Sequence, residues 1–190
     1  MQRLFAAIKI DPSEELSRLY YEMRNRLKHE KIRWVAPGNI HITLKFFGET
    51  NEELIPAISE ALNAAAGKHK PFDFELRDTG IFGSSYSPKV IWFGIQENEK
   101  LTALVGSVFE ELDARGWKRD RQNFVPHLTI GRIKHINDKQ LFQKIMDDYA
   151  EEEIQSVSVR EFLLYESILR KEGPEYKILE CFMLRGPSPE

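Results

Sequence analysis

The sequence of 190 residues contains a single cysteine, Cys181, and no long apolar run. One cysteine excludes an internal disulfide and any zinc site built from several cysteines. No apolar stretch approaches the roughly 20 residues that a membrane-spanning helix needs. The residues that follow Met1 also lack the pattern of a signal peptide. We therefore expect a cytoplasmic protein that neither spans a membrane nor depends on disulfides.

An excess of charge of one sign is also missing, because 27 Lys and Arg face 30 Asp and Glu, a formal net charge of −3. This near balance argues against a general polyanion binder. The balance is uneven along the chain, however. Residues 23–33 hold five basic side chains and one acid, residues 115–135 hold six and one, and acids crowd in residues 147–153. Such runs are usually solvated faces, but both basic stretches lie close to the motifs described below.

The apolar residues, 42% of the chain, are sufficient for a packed core. Their periodicity and the Gly, Pro, Asn and Ser residues between them predict helices that begin near Asp11, Thr50, Leu101 and Asn137. Predicted strands cover residues 3–10, 41–47, 72–79, 90–95, 127–133, 154–165 and 176–183. This order favours an α+β fold with helices on one side of largely antiparallel sheets. With no obvious linker, we expect one domain over residues 1–186 and a frayed tail at 187–190.

A short motif occurs twice. His41 and Thr43 belong to a His-x-Thr-apolar sequence that returns 86 residues later at His127 and Thr129. On a strand, the period of two puts each His and Thr on one face and the apolar residues between them on the other. Each motif therefore presents a polar pair to one side and anchors its other side in the core.

Two such pairs facing each other across a groove would suit in-line phosphodiester chemistry. One imidazole takes a proton from the attacking oxygen, the other gives a proton to the leaving oxygen, and both titrate near neutral pH. The threonine hydroxyls can donate hydrogen bonds to phosphoryl oxygens. Two alternatives compete: a lone strand histidine is usually structural, and histidine is also a common metal ligand. No Cys, Asp or Glu stands at short ligand spacing beside either motif, which disfavours the metal.

The segments around the motifs resemble a known family. Residues 33–48, 89–95, 124–132, 167–169 and 173–176 are similar, in the expected order, to blocks of the 2H phosphoesterase superfamily. Within it they are closest to the RNA 2′,3′-cyclic phosphodiesterases, historically called 2′-5′ RNA ligases. The resemblance implies a bilobal fold, in which two pseudo-symmetric lobes of mostly antiparallel sheet with outer helices surround a central cleft. It also implies an enzyme without metal or other cofactor that opens a ribose 2′,3′-cyclic phosphate to a 2′-phosphomonoester.

The resemblance further implies roles for individual residues. His41 and His127 are the expected catalytic pair, with His127 as general base and His41 as general acid. Thr43, Thr129 and Arg132 are the expected phosphate-binding residues. Strict alternation would place Arg132 on the face opposite His127, so the strand has to end or bulge at Gly131 for the guanidinium to reach the cleft.

The expected partners are RNA with 2′,3′-cyclic phosphate ends or small cyclic nucleotides, and the sequence carries no signal for an oligomer, so we expect a monomer. Two alternatives to hydrolysis stay open: ATP-independent 2′-5′ joining in the reverse direction, and a nucleotide- or RNA-binding module without turnover. By spacing, Lys45 shares the polar face of His41, although at the edge of the motif it is also suited to a solvated position.

Several aromatic residues near the motifs have two possible roles. Phe5, Trp34, Phe47 and Phe124 could stack on a base, although core packing is the more common role of such residues. Tyr86 lies in a Gly- and Ser-rich loop that could close over a ligand. The sequence alone does not decide between these roles.

Overall fold

The computed structural model describes residues 1–117, 125–171 and 173–186. Within these residues the chain forms nine strands and four α-helices, so the predicted α+β class is confirmed. The strands are β1 (Gln2–Lys9), β2 (Lys31–Trp34), β3 (His41–Thr50), β4 (Phe72–Gly83), β5 (Pro88–Ile95), β6 (His127–His135), β7 (Glu153–Val159), β8 (Glu161–Arg170) and β9 (Gly173–Met183). The helices are α1 (Glu14–Arg26), α2 (Ile55–Gly67), α3 (Glu99–Asp113) and α4 (Lys139–Asp148). Short 3₁₀ turns cover Pro37–Asn39 and Glu52–Leu54.

The strands build two antiparallel sheets, one for each lobe. Sheet I has the order β3-β1-β8-β9, and sheet II has the order β2-β6-β5-β4-β7. Helices α2 and α3 pack together on sheet I, and α1 packs against β7 of sheet II. An ion pair between Arg26 and Asp148 joins the ends of α1 and α4. This is the predicted bilobal arrangement of antiparallel sheets with outer helices.

Short polar side chains set the beginnings of three helices. The Ser13 hydroxyl accepts a hydrogen bond from the backbone N–H of Leu16 and so caps α1. The sequence predicts that this helix begins near Asp11, but the Asp11 carboxylate pairs with Lys9 at 2.7 Å and α1 begins later, at Glu14. Asn98 and Asp138 cap α3 and α4 in the same way as Ser13 caps α1. Each helix then buries one apolar face against its sheet.

The predicted strand over 154–165 is in fact two strands in different sheets. Strand β7 ends at Val159 in sheet II, and β8 begins at Glu161 in sheet I, so the chain crosses between the sheets at Arg160. No Gly or Pro marks this crossing, which is why periodicity alone does not reveal it. Each lobe is therefore built from segments that are distant in the sequence.

Strands β3 and β6, which carry the two motifs, lie next to each other where the two sheets meet. The apolar residues between their polar side chains, such as Ile42 and Leu128, are fully buried in a core shared by both sheets. The polar side chains project from the other face. None of the helices in the described part of the chain is long and apolar enough to cross a membrane.

Candidate active site

The two motifs line one cleft between the lobes, with a volume of about 870 Å³. Its walls include all five residues of the expected site: His41, Thr43, His127, Thr129 and Arg132. The structure thus brings together side chains that are up to 91 residues apart in the sequence. Both histidines are partly exposed to this space, whereas the apolar residue that separates each of them from its threonine is buried.

Each of the two imidazoles is oriented by a hydrogen bond to a backbone carbonyl. His41 Nδ1 lies 2.7 Å from the carbonyl oxygen of Asn39, and His127 Nδ1 lies 2.7 Å from the carbonyl oxygen of Val125. A carbonyl oxygen can only accept, so Nδ1 carries the proton and donates it in both rings. Nε2 is then the atom of each ring that is available to take or give a proton. In both motifs the carbonyl comes from the residue two positions before the histidine.

Aromatic rings hold each imidazole in place. The ring centroid of Phe5 lies 4.9 Å from that of His41, and Tyr176 meets His41 edge-on at 5.3 Å. Phe82 meets His127 edge-on at 4.6 Å. These contacts also remove water from the rings, which matters for their ionisation.

Both histidines have a lowered pKa. Burial is the largest cause, because it disfavours the imidazolium, and the hydrogen bond from Nδ1 to the carbonyl oxygen opposes it. The positive charge of Arg132 lowers the pKa of both rings further, and that of His127 also acts on His41. The guanidinium of Arg132 is therefore close enough to influence both imidazoles.

A β-bulge explains how Arg132 reaches the cleft. In the pairing of β6 with β5, Thr129 and Gly131 oppose consecutive residues, so Ile130 is the extra residue. Ile130 and Gly131 are both buried, and the alternation resumes with Arg132 on the face of His127. The predicted bulge is thus present, with Ile130 and not Gly131 as its extra residue. A side chain at Gly131 would approach the Ile32 side chain of β2 to 3.0 Å, which favours glycine there.

Strand β3 has the same irregularity, and it overturns the expected position of Lys45. In the pairing of β3 with β1, Leu44 is the extra residue. Leu44 and Lys45 therefore both point away from the cleft, and Lys45 is only 5% exposed with its ammonium 5.7 Å from the ring centroid of Phe109. Phe46, 51% exposed, lines the cleft at the position that matches Arg132 in the other motif. The two motifs thus end differently, one in a cation and the other in an aromatic ring.

The other aromatic candidates divide between the cleft and the core. Phe5 and Trp34 line the cleft, whereas Phe47 packs against the main core and is not part of the cleft wall. Phe124 lies outside the described residues. Tyr86 is 79% exposed, and its ring faces the ammonium of a lysine at the start of α4. Since Tyr86 does not line the cleft, the structure gives no support to a closing role for its loop.

The β8–β9 hairpin contributes two residues that the sequence analysis missed. Tyr176 of β9 packs against His41, and the backbone carbonyl of Pro174 accepts a 2.9 Å hydrogen bond from the Asn39 side chain. Asn39 thus ties the hairpin to the turn whose carbonyl orients His41. Both residues lie in segments that resemble the family, but a contact across 135 positions leaves no periodic signal in the sequence.

Positive charge dominates the cleft. Four arginines line it, Arg3, Arg33, Arg132 and Arg170, with Glu175 as the one carboxylate of its described wall. Glu175 pairs with Arg170 at 2.9 Å, so three guanidinium groups face the cleft without a carboxylate partner among the described residues. The described residues contain no group of three or more His, Cys, Asp or Glu side chains placed to hold a metal ion. The arrangement is suited to a phosphate held between two imidazoles, two hydroxyls and a guanidinium.

Comparisons with known proteins agree with this geometry. The sequence model of the family described as LigT like phosphoesterase matches the chain twice, over residues 8–92 and 93–176. Each match contains one of the two motifs, in accord with an internal repeat. An Archaeoglobus fulgidus protein named RNA 2′,3′-cyclic phosphodiesterase is 37% identical over 95% of this chain and 99% of its own length. A Thermotoga maritima protein of the same name is 35% identical over 92% of each chain.

Solved structures with similar sequences share the fold of this chain. A crystal structure of a Thermus thermophilus protein superposes with a TM-score of 0.77 at 28% identity and covers 97% of this chain and 98% of its own. Escherichia coli LigT in complex with 3′-AMP superposes with a TM-score of 0.73 at 26% identity over 96% of this chain and 98% of its own. With its two sheets, its repeated motif and the two matches that span most of its length, the chain belongs to the LigT-like phosphoesterase family.

Proposed function

We propose that this protein hydrolyses 2′,3′-cyclic phosphate ends of RNA to 2′-phosphomonoesters. One observation carries the proposal: the cleft holds two imidazoles, each with Nδ1 bound to a backbone carbonyl and Nε2 left for proton transfer. The names of relatives that match nearly the whole chain support the same reaction. A 2′,3′-cyclic phosphate requires a ribose 2′-oxygen, so the substrate end is RNA and not DNA.

In the proposed mechanism the cyclic phosphate lies between the two motifs. His127 Nε2 takes a proton from water, whose oxygen forms a bond to phosphorus. The bond between phosphorus and the 3′-oxygen breaks, and His41 Nε2 gives that oxygen a proton, so the phosphate stays on the 2′-oxygen. Thr43, Thr129 and Arg132 hold the phosphoryl oxygens, on which negative charge accumulates in the transition state.

The reaction starts with His41 protonated and His127 neutral. Burial and nearby positive charge lower the pKa of both histidines in the free protein, so the imidazolium is disfavoured before substrate binds. The anionic phosphate works in the opposite direction, because an adjacent negative charge favours the imidazolium. Substrate binding thus helps to create the protonation state that turnover needs.

The base of the terminal nucleotide has an aromatic surface available beside the phosphate site. Phe46 is half-exposed on the cleft wall, and its ring lies 5.7 Å from that of Phe5. An exposed ring of this kind can stack on any base, since every base has a π face. We therefore assign base stacking to Phe46 instead of Phe47.

The test is turnover of adenosine 2′,3′-cyclic monophosphate in the presence of EDTA, with the product identified by phosphorus NMR. We expect adenosine 2′-phosphate and activity that survives the chelator. Activity that EDTA abolishes and zinc or magnesium restores would contradict the metal-independent mechanism. Tight binding without turnover would instead indicate a nucleotide-binding module.

The reverse joining reaction is tested in the same assay with a 5′-hydroxyl oligonucleotide added. One site can catalyse both directions, but water is in vast excess, so joining dominates only if binding energy holds the 5′-hydroxyl end in place. We expect hydrolysis to prevail. The monomeric state and cytoplasmic location stay predictions, although a site completed within one chain fits a monomer.

The acid and base roles are tested with an aryl phosphodiester, whose leaving oxygen needs little protonation. On this substrate His41→Ala should lose far less activity than His127→Ala. The opposite pattern would mean that the two roles are exchanged.

A further inference from the structure

Two arginines lie side by side at one end of the cleft. Strand β2 is an edge strand of sheet II, and its residue Arg33 is directly opposite Arg132 of β6 in the antiparallel pairing. Directly opposed residues of antiparallel strands project from the same face with Cβ atoms about 4.5–5.5 Å apart. Both side chains accordingly line the cleft.

This pair has no carboxylate to balance it. Like charges directly opposite each other on neighbouring strands are destabilising, and neither guanidinium forms an ion pair or a hydrogen bond with any residue in the described part of the chain. Several other arginines of this protein have acidic partners, among them Arg18 with Glu15 and Glu22, Arg26 with Asp148, Arg115 with Glu111, and Arg170 with Glu175. The unbalanced pair therefore marks a place where an anion from outside the chain would be stabilised.

The two arginines differ in their relation to the two histidines. The charge of Arg132 acts on both His41 and His127, so Arg132 belongs to the reacting phosphate. The charge of Arg33 contributes to the pKa shift of neither histidine, and Arg33 lies one strand further from the centre of sheet II. A second anion beside the first would balance the charge of Arg33. In an RNA chain the next phosphate is attached to the 5′-oxygen of the same terminal ribose.

We propose that Arg33 binds the phosphodiester on the 5′ side of the nucleotide that carries the cyclic phosphate. This second phosphate site rests on the proposed function, and it makes the end of an RNA chain a better substrate than a cyclic mononucleotide. The fork of a guanidinium suits a phosphodiester because it can donate two parallel hydrogen bonds. The site acts on binding and not on the chemical step, since the reacting phosphate is assigned to Arg132 and the neighbouring phosphodiester to Arg33.

The experiment compares kcat and KM for adenosine 2′,3′-cyclic monophosphate and for a tetra-adenylate that ends in a 2′,3′-cyclic phosphate. Arg33→Gln should raise KM for the tetranucleotide by about five- to tenfold at low salt and should change KM for the mononucleotide much less. The slope of log KM against log salt concentration for the tetranucleotide should fall by about 0.7, the value for one phosphate contact on a single strand. Arg33→Lys should restore part of the affinity, because it keeps the charge but loses the fork.

Lys31→Gln is the matched control. Lys31 is exposed on the same strand and carries the same charge, but it does not line the cleft. We expect it to leave the tetranucleotide KM nearly unchanged. The melting temperature of Arg33→Gln should not fall, since the substitution removes a repulsion.

Three results separate the possible failures. An equal rise in KM for both substrates, or no rise for the tetranucleotide, would overturn the second phosphate site. If Lys31→Gln raised KM for the tetranucleotide as much as Arg33→Gln, the rise would be a general effect of net charge, and the second phosphate site would also be overturned. If the unmodified protein hydrolyses neither the tetranucleotide nor the mononucleotide, the proposed function itself fails.

Discussion

Replacing Arg132 by Gln should have two separable effects on catalysis. In the proposed mechanism the guanidinium holds phosphoryl oxygens, so its loss should slow turnover. Its charge also lowers the pKa of both His41 and His127, so its loss should raise both pKa values towards the ordinary value of 6.5. The first effect changes the height of the pH–rate profile, and the second changes its position.

The size of the rate effect follows from the contact that is lost. A hydrogen bond to a charged group is worth about 1.5–3 kcal/mol, and about 1.4 kcal/mol corresponds to a factor of ten in rate. Arg132→Gln should therefore lower kcat/KM at its own optimum by about 10- to 100-fold. In the proposed mechanism the active form of the free enzyme has one neutral and one protonated histidine. Because the pKa of both histidines is lowered, the unmodified protein should be most active at a pH below 6.5. The optimum of the variant should lie at higher pH.

The assay is kcat/KM for adenosine 2′,3′-cyclic monophosphate between about pH 4.5 and 8, a range that brackets the ordinary histidine pKa, for the unmodified protein, Arg132→Gln and Arg170→Gln. Arg170→Gln is the control, because Arg170 lines the same cleft, pairs with Glu175 at 2.9 Å, and contributes to the pKa shift of neither histidine. We expect its optimum to stay in place. A slower Arg132→Gln with an unmoved optimum, or one shifted to lower pH, would refute the placement of this charge beside both rings.

Three further predictions concern single features of the site. Phe46→Ala should raise KM by about tenfold through lost stacking on a base. Phe47→Ala should instead lower the free energy of unfolding by about 1–3 kcal/mol without a selective effect on KM. Equal rises in KM for the two variants would contradict the bulge in β3. The free energy of unfolding should decrease as the pH falls below 6.5, because His41 and His127 bind protons more readily in the unfolded chain than in the folded state. Urea titrations of a variant with both histidines replaced by Asn should show a smaller decrease. Asn39→Ala removes the hydrogen bond between the hairpin and the turn before His41. It should lower kcat by several-fold, in line with the free energy of about one neutral hydrogen bond, and leave KM nearly unchanged. An unaltered kcat would mean that this hydrogen bond is only structural.

The sequence was sufficient to predict those features of the fold and the site that repeat or alternate along the chain. The fold class followed from the order of the periodic segments, and the shared wall of His41, Thr43, His127 and Thr129 followed from the period of two in two equivalent strands. The position of Arg132 required a bulge, which could be expected because a small residue precedes it and the family resemblance demanded it.

Other features could not be predicted because they depend on pairing between distant segments. The bulge in β3 that exchanges Lys45 and Phe46 has no glycine to mark it, so simple alternation assigned the wrong face to Lys45. The four-residue strand β2 is too short to show a period, although its pairing with β6 puts Arg33 next to Arg132. The hydrogen bond from Asn39 to the hairpin joins residues that only the folded sheet brings together.

The central claim is that His41 and His127 act as one unit on a single phosphate. The most direct test is the rate of cyclic phosphate hydrolysis by His41→Ala, His127→Ala and the double variant. Each single substitution should lower the rate by about 10²- to 10⁴-fold. Because the two proton transfers belong to one reaction, the double variant should be little slower than the slower single variant. Losses that multiply in the double variant would show that the two histidines act independently and would contradict the account.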